Sequence, residues 1–336
     1  MRRTFCCVLA VSVLVVAACG GGGKDKAKST TTTEPIVTTT AAPPPPALLT
    51  GLPLEDRTKL NRPSLVVKID NAPQARPQAG MDRADVVYEE VVEGGVVRFM
   101  AVFQSRDADL VGPVRSVRPV DPDIVTPLRG YFAYSGGAPQ FVKLIKKAPV
   151  TLVGFDEYTK AYTKRSGRPA PHNLFTSTLK LYDSGKKASG PPPPLFTYGT
   201  PAGTPATHVT VVMGGQTKAD WDWDASINSW RRTTNGTPHL MEGGNQLAFA
   251  NVVVQYVQYS NTTSRDPAGF PVPTADVIGD GEAVVYAGAN TIKAKWSKHS
   301  LTDVTTFTDA TGVPVQLLPG PTWVMLAPIG AQTTSR

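Results

Sequence analysis

The sequence predicts an α+β protein of two lobes, a mixed α/β N-terminal lobe and a β-rich C-terminal lobe. Its 336 residues exceed the ~150 of one typical domain and ask for about two. A hydrophobic share of 41% supplies core material, while 30 Gly and 31 Pro exclude a long coiled coil or helical array. Runs rich in β-branched residues fill the second half, whereas the first half interleaves such runs with helical patterns.

The elements follow in order. Leu65–Ile69 reads as a short buried strand. Residues 85–92, a Gly94-Gly95 turn and residues 96–103 read as a β-hairpin. Residues 138–147 set Phe141, Val142, Leu144 and Ile145 among lysines, a helical pattern. Residues 176–182 form a second helix, capped by Thr176 or Ser177. A break at 184–206 is rich in Pro and Gly and divides an N-terminal domain, 48–183, from a C-terminal domain, 207–330. Strands are expected in the second domain at 209–213, 247–259, 282–286, 291–296, 304–307 and 322–326. The run 247–259 is long enough to bend or to hold a bulge.

Ahead of the domains lies an address. Met1-Arg2-Arg3 is basic, and residues 5–18 are apolar but too short to span a bilayer, which needs ~20 residues. The pattern of residues 1–18 is that of a secretory signal. Val16-Ala17-Ala18-Cys19 resembles a bacterial lipobox, with the Cys19 thiol as the lipid acceptor and palmitate among the expected acyl groups. Residues 19–47 form a lipidated Cys followed by a Thr/Pro-rich disordered tether. Two acyl chains would hold the protein on the outer leaflet of the cytoplasmic membrane, extracytoplasmic and lipid-anchored. The only cysteines are Cys6, Cys7 and Cys19, so the processed chain has no disulfide, thiol nucleophile or Cys-based metal site. The net charge of +7 is modest for this length, and an exported protein does not meet nucleic acid.

Several residues suit anion recognition or proton transfer. Arg115 and Arg118 lie three apart between Gly112-Pro113 and Pro119, where a compact loop would turn both guanidiniums toward one anion. Alternation on the hairpin adds Arg98 on the face of Met100 and Val102. It also sets Glu89 and Glu93 on one face and Glu90 on the other. These acids, with Asp70 and Asp85, are the pool for a carboxylate pair. His172, in a Pro-rich loop, and His239, after Gly236 and Pro238, are candidate acids or bases. The bland reading of each is structural: ion pairs that hold a lobe together and hydrogen-bonded loop histidines. Trp221, Trp223 and Trp230 read first as core indoles and second as an exposed platform. No zinc, P-loop or nucleophile-elbow signature occurs, and no metal or cofactor is expected.

A set of stretches resembles one family. They include Thr50-Gly51-Leu52-Pro53, Ile69-Asp70-Asn71 with Ala75-Arg76-Pro77-Gln78, and Asp85-Val86-Val87-Tyr88-Glu89 with Glu93-Gly94-Gly95. They continue with Gly112-Pro113-Val114-Arg115-Ser116-Val117-Arg118, Ser135-Gly136-Gly137 and Pro171-His172-Asn173-Leu174. Later come Trp230-Arg231-Arg232 with Gly236-Thr237-Pro238-His239, Asn251-Val252-Val253-Val254, and Trp296-Ser297-Lys298 with Asp303. In order and spacing the chain is similar, over about 48–328, to the YerB-like bacterial lipoproteins, a two-part domain family of unknown function. The resemblance implies a two-lobed α+β fold and an extracytoplasmic location, and the family it points to has no established enzymatic activity. The leading expectation is a non-enzymatic binding or scaffold module that supports cell-wall or envelope assembly, with peptidoglycan or an envelope protein as partner. Its rivals are a wall-directed hydrolase or transferase with a Glu/Arg/His cleft, and a small-solute binding protein hinged near 184–206.

Overall fold

The computed structural model describes residues 43–336, Gln216 excepted. The signal segment, Cys19 and the tether up to residue 42 lie outside the described residues. Residues 43–47, expected to belong to the tether, are part of the folded body. Pro46 bridges Pro53, the Ala47 amide donates to Leu52 O at 2.8 Å, and Ala47 is buried.

In chain order the main strands are β1 (Leu65–Ile69), β2 (Val86–Val91), β3 (Val97–Phe103), β4 (Tyr131–Ala133), β5 (Thr151–Leu152), β6 (His208–Gly214), β7 (Thr217–Asp224), β8 (Ser229–Thr234), β9 (Asn251–Arg265), β10 (Pro271–Asp276), β11 (Gly279–Ala287), β12 (Asn290–Lys298) and β13 (Thr322–Pro328). The helices are short: α1 (Asp121–Val125), α2 (Pro139–Ile145) and α3 (Thr178–Tyr182). The hairpin, β1 and both expected helices form where the sequence pattern puts them. Ser177 caps α3, its Oγ accepting from the Lys180 amide at 3.2 Å.

Among the described residues the fold is β-rich, and its two parts share one sheet of 12 strands. The path runs from a short edge strand, Thr306–Thr308, through β12-β11-β9-β13-β2-β3-β1-β4-β5. The seam between the parts is parallel: β2 pairs with β13 in the register Val86↔Thr322 to Glu89↔Met325. β13 pairs on its other side with β9, also parallel. A second sheet holds β6, β7 and β8 and packs on one face of the first. Trp221, Trp230, Val209 and Val211 there meet Val87, Phe99, Ala101 and Trp323 in one core. The other face is covered by Ile124, Val125, Phe141 and Ile145 of α1 and α2. The Trp221 and Trp230 indoles are fully buried, the structural alternative of the sequence reading.

The 184–206 segment, expected as a linker, lies packed on the body. Lys186 Nζ donates to Leu152 O at 2.6 Å, Leu195 is buried, and Thr197–Tyr198 pairs with Gln316–Leu317. Its Pro and Gly residues exclude long regular structure, yet leave isolated side chains and short bridges free to dock. The strand expected at 247–259 breaks at Ala250: Ala248–Phe249 pairs with β8 of the second sheet, and β9 runs on in the first. A register shift between Asn261 and Arg265 lies beyond the run for which a bend or bulge was expected.

Candidate functional site

The β2–β3 hairpin directs its charges to opposite faces. Glu89 points into the core between the sheets. It accepts from Arg232 Nη1 at 3.0 Å, Arg232 Nη2 at 2.7 Å and Trp323 Nε1 at 2.7 Å. The Arg232 guanidinium lies 4.7 Å from the Trp323 ring centre and 5.1 Å from that of Trp221. Its Nε donates to His239 Nδ1 at 3.2 Å, which places the imidazole proton on Nε2, 2.9 Å from Gln78 Oε1. Burial, then the Arg232 and Arg76 charges, hold the His239 pKa well below its usual value. Glu89 and His239, two candidate acid–base groups, are therefore both buried and tied into one structural network.

Glu90 faces the other way and pairs with Lys68, which also meets Asp121 Oδ1 at 2.5 Å. All three are buried, and burial raises the Glu90 pKa, with Asp121 adding to the effect and Lys68 opposing it. Glu93 leaves the strand pattern. β2 ends at Val91, and a turn with Gly94 and Gly95 at φ +69° and +73° takes Glu93 away from Glu89. Glu93 instead pairs with Arg118, Oε2 accepting from Nη2 at 2.9 Å. The alternation that joined Glu89 to Glu93 thus fails at the glycine turn.

The three arginines singled out by the sequence do come together. The 112–118 loop is held at the carboxyl ends of parallel strands β1 and β4, where open sheets commonly bind ligands. Arg115 N donates to Lys68 O, Asp70 N to Pro113 O, and Ser135 N to Arg115 O, each at 2.9 Å, and Val117 N to Gly136 O at 3.0 Å. Arg115 Nε sits 3.0 Å from Asp70 Oδ2, and Arg118 Nε 2.6 Å from Glu93 Oε1, charge contacts without hydrogen-bond alignment. Arg98, opposite Glu90 in the hairpin register, is 7% exposed. Its one hydrogen bond among the described residues is Nη1 to Ser116 O at 3.4 Å, and no carboxylate pairs with it. Burial, then Arg118 and Arg115, lower its pKa to about 10, while Glu93 and Asp70 pull the other way.

Beside this cluster, Asp70 Oδ2 lies 2.6 Å from His172 Nδ1, and Asp70 Oδ1 accepts from the Ala72 amide at 3.1 Å. His172 Nε2 makes no hydrogen bond among the described residues. The sequence offered Asp70 only as one of a pool of acids, with no partner. Its signal was local, an acid directly after a strand, but only the return of the chain at Arg115 and His172 gives it partners. Among the described residues, no three His, Cys, Asp or Glu side chains group to hold a metal ion, and no helix is long and apolar enough to cross a membrane.

A two-part β-rich protein with one sheet running through both parts and an arginine cluster at its strand ends is the class that this geometry defines. Residues 49–190 match the N-terminal domain, and residues 209–324 the C-terminal domain, of the protein of unknown function DUF3048. The chain belongs to this two-part, YerB-like family. It is 27% identical over 297 residues to the Bacillus subtilis strain 168 protein described as "Putative lipoprotein YerB", covering 84% of this chain and 86% of the relative. The fold is similar to the crystal structure of the YerB protein from Bacillus subtilis, with a TM-score of 0.74 at 23% identity, covering 86% of this chain and 99% of that one.

Proposed function

We propose that this protein is an extracytoplasmic lipoprotein, held on the outer leaflet through Cys19, that acts as a non-enzymatic binding module in the cell envelope. Its ligand presents a carboxylate to Arg98, Arg115 and Arg118, as the stem peptides of the wall or an acidic segment of an envelope protein do. The observation that carries the reading is Arg98, a nearly buried cation between two other arginines with no acid of its own. An uncompensated buried charge is costly, and a bound anion offsets that cost. The lipobox pattern and the name of the relative support the anchor.

A second reading, a wall-directed hydrolase, is favoured by the Asp70–His172 pair. A carboxylate on Nδ1 orients an imidazole whose Nε2 is free to take a proton.

One experiment separates the two. The full-length chain in detergent is incubated with purified wall sacculi, the pellet is assayed for protein, and the supernatant is analysed by mass spectrometry. The expected result is co-sedimentation that falls at least about tenfold in Arg98→Gln, a loss of ~1.4 kcal/mol, without released fragments. New fragments that vanish in His172→Ala would replace the binding reading with the hydrolase. No binding and no fragments would remove the wall as ligand.

A further inference from the structure

Two of the family-like stretches, 75–78 and 236–239, take no part in the Arg98 cluster. The fold brings them together from opposite halves of the chain. The loop after β8 closes over the loop after β1: the Glu242 amide donates to Gln78 O at 2.8 Å, and Gln78 forms a parallel bridge with Met241. Arg168 braces the lower loop, Nη1 donating to Ala75 O at 3.0 Å and Nη2 to Pro77 O at 2.6 Å. Between the loops is a cavity of about 410 Å³, within the ~300–1,000 Å³ usual for small-molecule sites. Pro77, Pro238, Leu240 and Met241 give it apolar walls.

One cation at this cavity is not neutralised. Arg76 is half-buried, and its Nε donates to Asn71 Oδ1 at 3.0 Å. Among the described residues its two Nη groups make no hydrogen bond, and no acid pairs with it. Glu242, the acid on the same wall, is already taken by Arg165, with Nη1 to Oε2 at 2.7 Å, and by Arg168 at 3.5 Å. His239 is neutral, as derived above. The local charge balance is therefore positive beside an apolar surface, and the guanidinium fork is the group best suited to an oxyanion.

We propose that this pocket binds a small organic anion, a single carboxylate or phosphate carried on an apolar body, with Arg76 gripping the anion. Pro77, Pro238, Leu240 and Met241 enclose the body. Both halves of the chain are needed to build the site. It is separate from the site of the proposed function, because none of Arg98, Arg115 and Arg118 lines the cavity.

The test is calorimetric titration of the full-length chain, against a blank of detergent alone, with hydrocinnamate, phenyl phosphate and the neutral hydrocinnamamide. At least one of the two anions binds saturably, and the amide binds at least about tenfold more weakly. The stronger of the two anions tells a carboxylate site from a phosphate site. Arg76→Gln weakens binding by about tenfold or more, and so does Leu240→Asp, which sets a like charge at the exposed rim, while Arg98→Gln leaves it unchanged. Leu240 is 46% exposed, so its replacement keeps the test valid even where Arg76→Gln unfolds. The proposal is overturned by no saturable binding of either anion up to about 10 mM, by equal binding of the amide, or by full binding in a folded Arg76→Gln. Loss of binding in Arg98→Gln alone would move the anion to the other cluster and overturn it equally.

Discussion

Replacing Glu89 with Gln probes what joins the two sheets. Glu89 and Arg232 are both 0% exposed, and the carboxylate receives three N–H groups. The amide keeps the shape but offers one acceptor oxygen, and it strands the guanidinium among Phe99, Trp221 and Trp323. Removing one partner of such a buried pair costs about 3–5 kcal/mol. With a urea slope of about 3 kcal/mol/M, the midpoint falls by roughly 1–1.7 M. Tryptophan fluorescence reports the transition, since Trp221, Trp230 and Trp323 are buried at this interface. Arg232→Met added to Glu89→Gln removes the stranded cation, so the double variant recovers at least about 1.5 kcal/mol relative to the sum of the singles. A Glu89→Gln protein within ~0.5 kcal/mol of the parent, the range of an ordinary surface change, would refute the reasoning. Strict additivity of the two losses would refute it as well.

Acidification should weaken the fold through His239. Its folded pKa lies well below the ordinary 6.5, so below that pH the unfolded chain binds more protons. Stability then falls as pH drops from 6.5 toward the folded value, by at most about 1.4 kcal/mol per pH unit from this group. Urea midpoints at a series of pH values check it, with a shallower dependence expected in His239→Gln; an identical dependence would disprove the assignment. Gly130→Ala should destabilise at the β1–β4 junction, because its Cβ would stand 2.0 Å from Ser64 O and 2.3 Å from Ser64 Oγ. Overpacking against backbone costs about 1–3 kcal/mol, at least ~2 °C in Tm, and an unchanged melting curve would show that the junction yields.

What the sequence made readable was local. The mostly apolar run Leu65–Ile69, the alternation around Gly94-Gly95 and the spacing of Phe141, Val142 and Ile145 each report a face that their own backbone presents. Arg115 and Arg118 were readable for the same reason, being three residues apart on one loop. Pairings across the chain were not. Glu89 meets Arg232 across 143 positions and Trp323 across 234, and no periodicity within either segment encodes such a partner. Glu93 misled because a strand period extrapolates smoothly, whereas two glycines at positive φ end it within two residues. For the 184–206 segment, Pro and Gly report the absence of regular structure and say nothing of whether the chain is docked.

The parallel seam between β2 and β13 sets a clock for the molecule. β2 lies in the first third of the chain and its neighbour at Thr322–Pro328 almost at its end. Until those last residues arrive, β2 holds an open hydrogen-bonding edge and the core between the sheets lacks Trp323 and Met325. Contacts of such long sequence separation form late. A nascent chain therefore stays unfinished at its centre through most of its synthesis and closes only when β13 is present.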